Sequence, residues 1–351
     1  MNTLWQTLKN AQLIQGEEPS KKMSSSPWYI KALLAFSGWL AAIFMLGFLA
    51  LGFNQLIQNE FALLLIGVVF IFISYITLKK EPSDFVEHLV LAISFSGQVL
   101  VFVGLMQILN QYSTLFWFII MLLQVLLTLK MPNFIHQLFS SFFGAYAFSF
   151  VVAYLGMGSI FLPSVMLFAS YIWLNEFYHS NITRAHAIGY GLVFILITVQ
   201  GMILSHTPLL FWSYSSMVIE PWFPYWLGSF LTGAVTLFVA LSLLKAHHQP
   251  LTSSISLSVI ISLLILSLVA IKIPSLLLGI LIMILAFAHS NRLLLGLGIV
   301  SFLFSISAYY YYLEITLLQK ALILGILGLV ILIARWFIFH VLLSHKGEKN
   351  V

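Results

Sequence analysis

The chain has 351 residues, of which 61% are hydrophobic and only 7% charged, and its mean hydropathy is +1.06. Soluble domains carry roughly 25% charged residues, so a soluble globular protein, a disordered chain and a nucleic-acid binder are excluded. Cysteine is absent, which removes disulfides, thiolate metal sites and cysteine nucleophiles.

Residues 1–27 form a polar lead in which Leu4, Trp5, Leu8 and Ala11 recur at helical spacing, the pattern of a short amphipathic helix on a membrane surface. The apolar run from Trp28 to Phe53 is too long for a cleavable signal sequence and reads as a retained membrane helix. Residues 28–345 form the membrane domain, and residues 346–351 a short tail. A membrane helix needs roughly 20 mostly apolar residues. The windows that approach this requirement are Tyr29–Phe53, Phe61–Leu78, Phe85–Leu109, Thr114–Leu129, Asn133–Leu155, Ile160–Phe177, Ala185–Ser205, Tyr225–Leu244, Ser254–Ile273, Ser275–Ala288, Arg292–Tyr312 and Ile315–Leu343. They are apolar on every face, without the alternation of a membrane strand. The expected fold is therefore all-α, a polytopic transmembrane bundle of about twelve spans. Ser275–Ala288 is the short one, separated from its predecessor by Pro274, and reads either as a full span or as a re-entrant or strongly packed segment.

An even count with a cytoplasmic N-terminus puts every lysine and arginine except Lys272 and Lys320 on the inner side. That asymmetry is what the positive-inside rule expects, so both ends are placed in the cytoplasm. Trp28, Trp173 and Trp336 then fall near the inner interface. Trp212, Trp222, Trp226 and the run Tyr309-Tyr310-Tyr311-Tyr312 fall near the outer one, as an aromatic girdle.

Ser113–Lys130 aligns without a gap to Ser275–Arg292, with Met121 on Met283. The loops Lys79-Lys80-Glu81-Pro82 and Lys245–Pro250 occupy matching places. Both features suggest two parallel six-helix halves. Gly38 and Ala42, Ser140 and Gly144, and Ser229 and Gly233 are small residues four apart, suited to close helix contact.

The entry Ser26-Pro27-Trp28-Tyr29-Ile30, with Phe36-Ser37-Gly38-Trp39-Leu40-Ala41-Ala42 and Leu46-Gly47-Phe48 after it, resembles the start of a bacterial membrane-protein family, domain of unknown function 4401. So does the exit Tyr311–Lys320 running on to Arg335. The resemblance spans roughly residues 28–345. It implies a bacterial inner-membrane protein and hints at a protein partner, and it transfers no activity, cofactor or catalytic residue.

Ionisable groups within a membrane are costly and are functional candidates by default. Lys320, inside the last window, either snorkels to the headgroups or forms a buried pair with Glu314 or Glu220. A second set lies on the inner side: Glu87, His88, His136 and Glu176, with His186 and His289 nearby in the same frame. Imidazoles beside carboxylates can relay protons near neutrality. A metal site is not expected, because there is no His-Glu-x-x-His and the adjacent Glu87 and His88 point roughly 100° apart on a helix. A third set consists of amides, Gln98, Gln124 and Gln200, with Ser94 and Ser96; they either line a polar path or bond helix to helix. Gly296-Leu297-Gly298 and Asn181-Ile182-Thr183 are chance matches to nucleotide-binding and glycosylation motifs.

With no acid–base pair in view, an enzyme is not expected, nor any cofactor. Two readings stand: a secondary transporter of a small molecule with its path at Gln98, Gln124 and Gln200, or an accessory or assembly protein. The latter would bind a second membrane protein or act in envelope maintenance. The lipid bilayer is the expected surrounding in either case.

Overall fold

The computed structural model describes residues 59–109, 113–178, 180–204, 225–250, 252–270 and 276–312, with isolated residues and short stretches on either side. Among the described residues there are helices and turns and no strand. The helices are α1 (Glu60–Leu78), α2 (Asp84–Ile108), α3 (Thr114–Lys130), α4 (Phe134–Tyr154), α5 (Phe161–Leu174), α6 (Ile182–Leu204), α7 (Tyr225–Ala246), α8 (Ser254–Ala270), α9 (Leu276–Ala288) and α10 (Arg292–Tyr312). Each falls on one of the apolar windows from the second to the eleventh. Most of the amphipathic lead, residues 205–224, and most of the first and last windows lie outside the described residues.

The starts of these helices are written in asparagine and serine. Asn59, Ser113, Asn133, Asn181, Ser253 and Asn291 each accept a hydrogen bond from the backbone N–H three residues on. A side-chain oxygen there satisfies one of the N–H groups that a first helical turn leaves open. Three loops turn through residues with positive φ, at Glu81 (48°), His248 (53°) and Ser290 (51°). Two of these, Glu81 and His248, lie in the pair of loops that the sequence sets in matching places.

Among the described residues, five helices are long and apolar enough to cross a membrane: Glu60–Leu78, Asp84–Ile108, Phe134–Tyr154, Ile182–Met202 and Trp226–Ala246. Others, such as Thr114–Lys130 with 17 residues, are shorter. Of these, α9 is informative. Its 13 residues bury Leu276, Leu277, Leu278, Gly279, Leu281, Ile282, Leu285 and Ala286. At about 1.5 Å per residue it is roughly 20 Å long, short of a 30 Å hydrocarbon layer. Its burial packs this short segment against protein on most of its faces.

The chain divides into two compact units, residues 1–101 and 102–351. In the first, α1 and the start of α2 run antiparallel and meet at glycines. A Cβ on Gly67 would lie 2.6 Å from the Gly97 carbonyl oxygen, and one on Gly97 would lie 2.7 Å from that of Gly67. Ser74 Oγ donates to the Val90 carbonyl at 3.1 Å in the same antiparallel register. Backbone contact of this kind gains dispersion energy where lipid offers no hydrophobic contrast.

In the second unit, α3 packs on α4 and α9 on α10 as the two closest hairpins, and α6 joins α4, α5 and α10. The main core is drawn from α4, α5, α6, α7, α9 and α10, with Met166, Ile195, Leu196 and Leu281 almost wholly buried. A second core lies between α3 and α4, where Trp117 stacks on Phe150 with ring centroids 3.9 Å apart. Such a pair adds roughly 0.5–1.5 kcal/mol beyond its buried area.

Candidate functional site

At one end of the second unit three helix ends converge on a carboxylate. After α5 ends at Leu174, Asn175 Nδ2 donates to the Tyr171 carbonyl at 2.9 Å, and Glu176–Tyr178 form a single 3-10 turn. Asn181 then caps α6, which places His186 within its first two turns. His289 sits on the turn after α9, beside Ser290. The result brings together residues more than 100 positions apart. His186 Nε2 lies 2.5 Å from Glu176 Oε1, and His289 Nδ1 lies 3.1 Å from Glu176 Oε2. The Glu176 and His289 side chains are about nine-tenths buried, at 12% and 10% exposure.

Trp173 forms the wall of this cluster. Its ring lies parallel to His186 (5.4 Å, 24°), edge-on to Tyr190 (5.1 Å) and tilted to His289 (6.4 Å). It fits because position 189 is glycine: a Cβ there would lie 2.8 Å from the indole. Trp173 is 1% exposed. The ring faces protein and not lipid, since residues of α6 and of the α9–α10 turn cover it. Asn291 links the same parts again. Its Oδ1 caps α10, and its Nδ2 donates to the Tyr190 hydroxyl at 2.8 Å.

Burial holds the pKa of His289 below its ordinary 6.5, with the Glu176 carboxylate opposing that effect and His186 adding to it. Two imidazoles on one carboxylate tie the end of α5 to α6 and to the α9–α10 turn. Among the described residues no set of three His, Asp or Glu side chains is spaced to hold a metal ion.

Glu87 and His88 open α2 in the first unit, where the His88 backbone comes within 3.0 Å of a Cβ placed on Gly38. His136, fully buried on α4, is hydrogen-bonded through Nδ1 to Ser140 Oγ at 3.2 Å. Glu176 is thus joined to His186 and His289.

The three amides are all buried. Gln98 belongs to the first unit. Gln200 is bonded at both ends of its amide. Nε2 donates to the Ser301 carbonyl (2.8 Å) and to Ser305 Oγ (2.5 Å), while Ser301 Oγ donates to Oε1 (2.6 Å), so α6 is fastened to α10. The backbone carbonyl of Gln124 accepts from Thr128 Oγ1 at 2.8 Å. A cavity of about 380 Å³ lies among α3, α4, α5 and α6, and its walls include neither Gln124 nor Gln200. Lys320 Nζ lies over the Tyr310 ring, 5.3 Å from its centroid; Glu314 and Glu220 lie outside the described residues. Sequence reading did not name Tyr310 as that partner, although the tyrosine run stands ten residues earlier.

Neither the curated proteins nor the solved structures contain a match to the chain. A family model described as domain of unknown function DUF4401 matches residues 27–340. That match covers most of the chain, and the protein belongs to this family of unknown function.

Proposed function

We propose that the protein is a multi-pass protein of a bacterial inner membrane with about twelve spans and both ends cytoplasmic, acting as an accessory or assembly factor for a second membrane protein. The one-sided distribution of lysine and arginine supports the topology. Two aligned segments that each open a closely packed hairpin, α3–α4 and α9–α10, support a duplicated architecture of two six-helix halves. Reporter fusions at the two ends check the topology, and signals from opposite faces would reject it.

The observation that carries the accessory role is the state of Gln200. A transport path needs polar groups open to a passing solute, and this amide is engaged at both ends by Ser301 and Ser305. Gln200→Met therefore acts on stability. Three interhelical bonds at about 0.6 kcal/mol each give a loss near 2 kcal/mol, read as a lower thermal midpoint in detergent. An unchanged midpoint would remove the structural reading of this residue.

The role itself is tested by photocrosslinking in the native membrane. A crosslinking residue at Leu303 or Phe304, both exposed on α10, is expected to give one discrete adduct with a second membrane protein. The level of that protein should fall when this chain is deleted. Adducts with lipid alone, together with solute uptake by proteoliposomes of the purified protein, would favour transport instead.

A further inference from the structure

The walls of the cavity among α3, α4, α5 and α6 include none of Glu176, His186 and His289. At about 380 Å³ the cavity is within the size range of ligand pockets, roughly 300–1,000 Å³. α3 packs on α4, α4 on α6, and α6 on α5, so the space is a slot between α3 and α5 with α4 and α6 as its floor. Its rim includes Val125, Leu129 and Phe168, each about half exposed on an apolar helix. In a bilayer such a rim opens onto hydrocarbon.

The wall chemistry is more apolar than its residue names suggest. Thr128 Oγ1 donates to the Gln124 carbonyl, Ser141 Oγ donates to the Ile188 carbonyl, and Ser140 Oγ is bonded to His136. With these hydroxyls engaged, the Ser164 hydroxyl is set among methyl, methylene and ring surface. Size then discriminates among apolar occupants. A helix about 10 Å across would need on the order of 1,000 Å³ for three turns. At roughly 30 Å³ for a group the size of water or methylene, the slot holds about a dozen such groups. That is the scale of one fatty-acyl chain. At one end of the slot, Leu129 is followed directly by Lys130, the exposed last residue of α3. A cation at that position complements a phosphate.

We infer that this slot seats one acyl chain of an anionic membrane phospholipid, with Lys130 facing its headgroup. The proposal is independent of the accessory role and requires only that the helices sit in a bilayer.

The test uses the full chain, purified in mild detergent, stripped of lipid and titrated with dipalmitoyl phosphatidylglycerol or dipalmitoyl phosphatidylcholine while bound lipid is counted by native mass spectrometry. One tightly held phosphatidylglycerol is expected, preferred over phosphatidylcholine. Val125→Trp and Leu129→Trp, both on the exposed rim, should each weaken its binding by about tenfold or more. Lys130→Gln should abolish the preference for phosphatidylglycerol while a chain is still held. Leu257→Trp, exposed on α8, should behave as wild type. Equal retention by the wild type and both rim variants would overturn the proposal. So would a retained polypeptide in place of lipid, or a preference for phosphatidylglycerol that survives Lys130→Gln.

Discussion

Glu176→Ala is expected to be the most damaging polar substitution in the second unit. The carboxylate lies against two imidazoles, and its loss leaves His289, some nine-tenths buried, and His186 without the group they share. Leaving a buried polar group without its partner costs about 1–3 kcal/mol, and two imidazoles lose the same one in this cluster. Here the break also frees the end of α5 from α6 and from the α9–α10 turn. The measurement is thermal unfolding of the purified protein, alongside its steady-state level in the membrane. A second readout separates electrostatics from packing. Burial depresses the pKa of His289, so the unfolded chain binds its proton more readily than the folded chain does. Stability from this residue is therefore full above pH 6.5 and declines as the pH falls below it. The apparent Tm should drop between pH 7.5 and pH 5.5 by more than in His289→Gln. Glu176 favours the protonated imidazole, so Glu176→Ala should steepen the decline. A wild-type profile that coincides with that of His289→Gln would show that burial of this imidazole is not felt in the fold.

The cluster shows where sequence reading reaches and where it stops. Glu176, His186 and His289 were each placed on one side of the membrane by counting spans and basic residues. Nothing in their local spacing tells that α6 and the α9–α10 turn meet at the end of α5, because that contact is made by packing across more than 100 residues. Glu87 and His88 carry the same local signal and belong to the other unit. The helices were legible for a simpler reason. A backbone in lipid has to satisfy its own hydrogen bonds, so length and uniform apolarity mark each segment, and asparagine or serine marks its start. The same uniformity conceals which face is buried. The Trp173 ring and most of α9 are covered by protein, which their apolarity alone does not tell. The amides were legible as polar groups at depth. Whether Gln200 lines a path or fastens two helices depends on Ser301 and Ser305, a further hundred residues along.

Glycine substitutions in the α9–α10 hairpin separate close contact from composition. Gly279, Gly296 and Gly298 look alike in the sequence, and each stands in a helix. A Cβ on Gly279 would lie 2.6 Å from the Phe302 backbone nitrogen and 2.8 Å from its Cα. One on Gly298 would lie 2.9 Å from the Met283 backbone nitrogen. In both cases the obstacle is backbone, which cannot rotate away, so the helices must separate. Overpacking of this kind costs about 1–3 kcal/mol. Because α9 is buried nearly all round, its displacement reaches Leu281, Ile282 and Leu285 in the main core. A Cβ on Gly296 meets nothing within 4 Å. There alanine adds only helix propensity, a gain of up to about 1 kcal/mol. The expected order of thermal midpoints is Gly296→Ala at or above wild type, with Gly298→Ala and Gly279→Ala well below it. The double variant Gly279→Ala, Gly298→Ala should lose less than the sum of its parts, because either methyl alone already pushes the two helices apart. If all three single variants behave alike, α9 and α10 do not cross at Gly279 and Gly298, and the core built on that crossing is wrong.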